Sequence, residues 1–199
     1  MGELLLRGKP IGRVNGILFD KDGTLINSES RLLLLSRLRI EEAKNCLQKQ
    51  NFSSKYIVQL QNLLARAYGL TANGISPNGP VAIASQKDNL ITTATIFCII
   101  GKSWPSALED AQDVFKNATS KCLTLINNLP QQTLLPGLIP FLEQSKKKNI
   151  KLGLISNDSK EGIKKFLLDH KIEKYFPLYW SSEDIPPKPN PSAVKKLCR

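Results

Sequence analysis

Two carboxylates two residues apart leave a short apolar run in Ile17-Leu18-Phe19-Asp20-Lys21-Asp22-Gly23-Thr24-Leu25. In open α/β sheets the reacting groups collect at the carboxyl ends of strands, and a D-x-D pair released there can turn both acids into one pocket. Asp20 could then attack a phosphorus atom as a carboxylate nucleophile. Asp22 could give a proton to the leaving alkoxide and later take one from the attacking water. Gly23 permits the tight turn that returns Asp22 over the strand end. The bland alternative is a strand-to-turn junction with two solvated acids; the apolar strand before the pair and Thr24-Leu25 after it favour chemistry. Two more groups suit the same pocket. Ser156 and Asn157 end a second apolar run and open onto a helix, where a hydroxyl and nearby amides can hold phosphate oxygens, the alternative being an ordinary N-cap. Lys188 sits in Ile185-Pro186-Pro187-Lys188-Pro189-Asn190-Pro191. The flanking prolines stiffen that loop, so the ammonium is held where it can neutralise an aspartyl-phosphate and a transferring phosphoryl group; a plain surface lysine is the alternative.

The elements that must position these groups alternate. Residues 14–19, 150–155 and 176–180 read as short strands, with amphipathic helices at 138–148 and 159–169, the second burying Ile163, Phe166 and Leu167. Such alternation implies a parallel sheet with right-handed crossovers. Residues 28–133 differ: they read as helices at 28–49, 53–68, 86–100 and 105–128, with Ser53 and Ser85 as N-caps, Asp88 three residues after the latter, and a loop at 71–80. An α/β core formed by 11–27 and 134–199 is thus interrupted by an all-helical block at 28–133.

The matching motifs, DKDGTL at 20–25, LISND at 154–158 and PPKPNP at 186–191, with PGL at 136–138, resemble those of the haloacid dehalogenase-like superfamily, in its phosphoglycolate phosphatase and β-phosphoglucomutase branch. The resemblance implies a Rossmannoid parallel sheet with an inserted α-helical cap. It implies Asp20 as nucleophile and Asp22 as general acid/base, with Ser156, Asn157 and Lys188 on the substrate phosphate. It also implies Mg²⁺ held by Asp20 and the backbone carbonyl of Asp22. Family dehalogenases lack an acid at the position of Asp22, since a halide needs no proton, so the acid points to P–O chemistry on a small phosphorylated metabolite. The cap, 28–133, is expected to hinge at 21–27 and 131–136, with Lys87 and Arg66 as its first basic candidates for substrate contact. The family's further pair of metal-binding acids is absent: after Lys188 the sequence holds no Asp or Glu. The expectation is therefore a sheet incomplete at the C-terminus, an impaired phosphatase, the motif-one strand on a sheet edge, and self-association through that edge. A non-catalytic remnant and a phosphomutase are the alternatives.

Twenty-eight Lys and Arg against 17 Asp and Glu give a net charge of +11, which attracts anions. Aromatic residues are not interleaved with the lysines, which weakens the reading of nucleic acid as the partner. One histidine and four scattered cysteines argue against zinc and against a disulfide framework. No apolar run reaches the roughly 18 residues of a membrane span, and the N-terminus does not read as a secretory signal; the expected location is cytoplasmic.

Overall fold

Along the chain the elements are β1 (Gly2–Leu6), β2 (Lys9–Val14), β3 (Gly16–Phe19), α1 (Glu29–Lys49), α2 (Ser54–Tyr68), β4 (Leu70–Thr71), β5 (Gly74–Ile75), α3 (Pro80–Ile83), α4 (Gln86–Ile99), α5 (Trp104–Ile126), α6 (Leu138–Lys147), β6 (Lys151–Ile155), α7 (Lys160–Asp169), β7 (Leu178–Trp180) and α8 (Pro191–Leu197). The computed structural model describes residues 2–126 and 133–198. The chain forms two compact units, Met1–Asn27 with Gln132–Arg199, and Ser28–Gln131.

The first unit is α/β. Its sheet has the order β3-β6-β7, all parallel, with Phe19 opposite Leu154 and Ile155 opposite Trp180. The central strand, β6, is buried from Leu152 to Ile155, whereas β3, an edge strand among the described residues, is only half-buried. Gly153 lets the strands close up: a Cβ there would lie 2.7 Å from the Leu18 side chain. The core joins Leu25, Leu142 and Leu154 to Ile163, Phe166 and Leu167 of α7. Phe19 stands edge-on to Phe176, with ring centroids 5.8 Å apart, an arrangement that aromatic quadrupoles favour.

A hairpin precedes this sheet that the hydrophobic pattern does not announce. β1 and β2 pair antiparallel around Arg7 and Gly8, both at positive φ, as a two-residue hairpin turn requires. Leu5, Leu6 and Ile11 on it are exposed. The strand expected over 14–19 is split at Asn15: Val14 ends β2 and β3 begins at Gly16.

The second unit is helical. α1 packs on α2 and α5, and α4 on α2 and α5. Ala107, Ala111, Val114, Phe115, Ala118 and Cys122 form the buried stripe of α5, spaced as one helix face demands. Ser85 and Asp88 make a reciprocal capping box on α4, whereas Ser53 precedes α2 without a side-chain bond to it. The loop at 71–80 contains the short β4-β5 hairpin and the start of α3. Arg39, only 5% exposed, lays its guanidinium 3.8 Å from the Phe115 ring centre, and burial pulls it below its ordinary pKa. The four cysteines are free thiols. Among the described residues no helix is long and apolar enough to cross a membrane.

Candidate active site

The loop after β3 is built from its own amides. Thr24, Leu25 and Ile26 all donate backbone N–H groups to the Lys21 carbonyl, while the Gly23 amide donates to the Ile26 carbonyl at 2.9 Å. Gly23 has φ +79°, a conformation that costs other L-residues energy. These backbone bonds leave the Asp22 carbonyl unused by the loop. Leu25 and Ile26 are buried in the α/β core, Ile26 bridges to Leu134, and the Leu135 amide donates to the Leu25 carbonyl. Both segments expected to hinge are therefore fixed to one another from 25–26 and 134–135; residues 131 and 132 lie outside the described residues.

Asp20 follows β3 directly, and Lys188 donates from Nζ to its Oδ1 at 2.8 Å. The proline loop brings Lys188 there from 168 residues away. It is tied down by the Trp180 indole N–H, which donates to the Pro186 carbonyl at 2.9 Å, and by Lys196, whose Nζ donates to the Ile185 carbonyl. The Ile185–Pro186 and Lys188–Pro189 bonds are both cis. Beneath the same loop, the Ser181 amide and hydroxyl donate to Asp184. Burial alone pushes the Asp184 carboxyl up, but those two bonds and nearby Lys160 outweigh it and hold it below its ordinary value.

Ser156 follows the neighbouring strand β6, is 2% exposed, and donates its amide to the Trp180 carbonyl. Its hydroxyl oxygen accepts from the Asp158 amide at 3.2 Å, a bond that does not use the hydroxyl proton. Asn157 is half-buried in the same loop. The structure thus places Asp20 against Lys188, with Ser156 and Asn157 following the adjacent strand at the same, carboxyl end of the sheet.

Two further residues matter at the site. Asp158 does not cap the helix that follows it; Ser159 does, accepting from the Gly162 amide at 3.1 Å. The Asp158 side chain lies over Gly162, where a Cβ would come within 2.6 Å of its carboxylate. From there it meets Lys21, Nζ to Oδ2 at 2.5 Å. Lys21, between the two acids in sequence, is 5% exposed, with its Nζ 3.2 Å from Asp22 and 5.7 Å from the Phe166 ring centre.

The donor set for a divalent cation is small. Among the described residues no group of three or more His, Cys, Asp or Glu side chains converges, and Asp158 and Asp22 face the Lys21 ammonium. Asp20 and the Asp22 carbonyl remain. Mg²⁺ is often held by one or two carboxylates, with waters and substrate phosphate completing an octahedron, so these two oxygens fit it as a minimal anchor. Elsewhere, the helical unit carries a polar cleft of about 210 Å³ between α1 and α5, lined by Glu42, Asn45, Cys46 and Asp113 among others; it contains none of the residues singled out above.

A family model for haloacid dehalogenase-like hydrolases matches residues 14–199. Among solved structures, a protein predicted to be a phosphoglycolate phosphatase from Haemophilus somnus 129PT superposes with a TM-score of 0.61 at 17% identity, over 94% of this chain and 72% of that one. A 2-haloacid dehalogenase from Pseudomonas syringae pv. Tomato DC3000 gives 0.53 at 16%, over 92% and 71%. A protein assigned as a β-phosphoglucomutase from Thermotoga maritima gives 0.51 at 17%, over 92% and 69%. At these identities the likeness is one of fold. No curated protein matches the chain.

Proposed function

The chain belongs to the haloacid dehalogenase-like hydrolases, and from that premise we propose that it hydrolyses a small phosphorylated metabolite through an aspartyl-phosphate on Asp20. The observation that carries this reading is the contact between Lys188 Nζ and Asp20 Oδ1 at 2.8 Å. A lone ammonium fixed against a carboxylate at a strand end is suited to offset the charge of a phosphoryl group arriving there.

In this reading Asp20 attacks phosphorus in line with the leaving oxygen, and Lys188 neutralises charge on the equatorial oxygens. Ser156 donates its hydroxyl proton to one of those oxygens, and Asn157 flanks it in the same loop. Asp22 gives a proton to the leaving alkoxide, then takes one from the water that hydrolyses the acyl phosphate. Asp20 and the Asp22 carbonyl would hold Mg²⁺, which when bound supplies further charge neutralisation at the phosphoryl group. The helical unit corresponds to the inserted cap of the family. Lys87 and Arg66, both exposed on it, are the basic residues whose replacement tests substrate selection.

A second reading, a chain that binds phosphate without turning it over, is favoured by the small cation donor set. One experiment separates the two: turnover of p-nitrophenyl phosphate by the purified chain across a Mg²⁺ titration, with Asp20→Asn as control. Metal-dependent turnover that Asp20→Asn abolishes supports the phosphatase. Phosphate binding with no turnover at any Mg²⁺ concentration supports the second reading.

A further inference from the structure

We propose that Lys21 is a positioning residue: its buried ammonium ties the Asp22 carboxylate to the loop carrying Ser156 and so sets where both groups stand. The inference rests on the phosphatase reading for what Asp22 does, and on the geometry alone for the tie itself. Lys21 belongs to the loop after β3 and Asp158 to the loop after β6, 137 residues away. The ammonium reaches Asp158 Oδ2 at 2.5 Å and Asp22 Oδ2 at 3.2 Å. It therefore links, by charge-assisted bonds, the side chain assigned to proton transfer and the segment assigned to phosphate.

Exposure shows how the strain of removing it would be distributed. Lys21 is almost wholly buried, whereas the side chains of Asp22 and Asp158 keep 30% and 32% of their surface. A burial this deep is costly for an ammonium unless it is paired, so the lysine is committed to the two acids. The acids are not committed to it: water reaches both. Lys21→Met keeps an apolar stem of similar length and lets Asp22 and Asp158 hydrate and rotate. The fold has an alternative to the tie, whereas the site has none. The Asp158 amide bond to the Ser156 hydroxyl carries any movement of Asp158 directly to the phosphate-binding group.

The test uses the full chain and two probes. Orthophosphate affinity, read by calorimetry, requires no turnover. Lys21→Met should weaken it by about tenfold, as expected when a hydrogen bond from a binding group to an anion is partly lost. The second probe is the ratio of kcat/KM on glycerol 2-phosphate to kcat/KM on p-nitrophenyl phosphate, which reports the phosphoryl-transfer step and not the hydrolysis that the two substrates share. An alkoxide leaving group needs the proton from Asp22 and a nitrophenolate does not, so misplacing Asp22 should lower the ratio by about 10- to 100-fold. A merely structural loss would lower both rates alike. Asp158→Asn cuts one arm of the tie at an accessible residue and should move both readouts in the same direction by less; it decides the matter alone if Lys21→Met fails to fold. Phosphate affinity within about twofold of the unsubstituted chain, or an unchanged ratio in folded variants, overturns the tie. Turnover that survives Asp20→Asn overturns the phosphatase reading instead, and phosphate affinity then judges Lys21 by itself.

Discussion

Replacing Lys188 should separate stability from function. Its ammonium bonds Asp20 at 2.8 Å, with 30% of the lysine side chain and 40% of the aspartate side chain exposed. An ion pair so accessible to water contributes only about 0.2–1 kcal/mol to folding, which for a chain of this size corresponds to at most about 4 °C in Tm. Lys188→Met retains most of the stem, so packing is nearly conserved. Catalysis should respond on another scale. A preorganised charge at a phosphoryl group has no substitute in water at the moment of transfer, and losing one such donor costs about 2.7–4 kcal/mol, or about 10²–10³ in kcat. The assay is steady-state turnover of p-nitrophenyl phosphate at saturating Mg²⁺, beside a thermal melt. A small Tm shift with a large loss of kcat is expected. Turnover within about threefold of the unsubstituted chain, or a loss that tracks a Tm fall above about 10 °C, would refute the assignment.

Asp22→Asn should slow hydrolysis of alkyl phosphates by about 10²–10⁴, while the first step with p-nitrophenyl phosphate, followed as a burst of nitrophenolate, changes little. Arg39→Met should leave Tm unchanged or raise it, because a buried guanidinium resting on Phe115, with no acid paired to it among the described residues, costs desolvation that an apolar side chain of similar length avoids; a fall of more than about 5 °C would show the cation to be stabilising. Asp184 has its folded pKa below its ordinary 3.8, so its contribution is complete above the unfolded value and is lost as pH falls through the folded one. Urea melts of Asp184→Asn against the unsubstituted chain should therefore differ most above about pH 4 and converge in stronger acid.

Much of the positioning scaffold can be read from the sequence because it is local. Ile163, Phe166 and Leu167 recur at helical spacing and are the buried face of α7; Ser85 with Asp88 three residues on forms the capping box. The run 150–155 corresponds to β6, Lys151–Ile155, because a central strand buried on both faces is continuously apolar. The hairpin Gly2–Val14 escapes the pattern: Leu4, Leu5 and Leu6 are consecutive rather than alternating, Pro10 interrupts the second strand, and Arg7-Gly8 is not a strong turn pair. Lys21 and Asp158 escape for a different reason. Their partnership is made across two loops 137 residues apart, and no period within either segment carries it. A charged residue flanked by two acids reads as solvated, and only the arrival of Asp158 makes its burial affordable. The same holds for Trp180, whose indole bond to Pro186 steadies the Lys188 loop, but whose type and position suggest only core.

The most direct test of Asp20 as nucleophile is to trap the intermediate. The full chain is mixed with p-nitrophenyl phosphate and Mg²⁺, quenched in acid, digested, and the peptide carrying Asp20 is weighed. A mass increase of one phosphoryl group on Asp20, absent in Asp20→Asn, which should also lack turnover, is the result expected of an aspartyl-phosphate. A phosphoryl group on another side chain, or turnover that persists in Asp20→Asn, would contradict it.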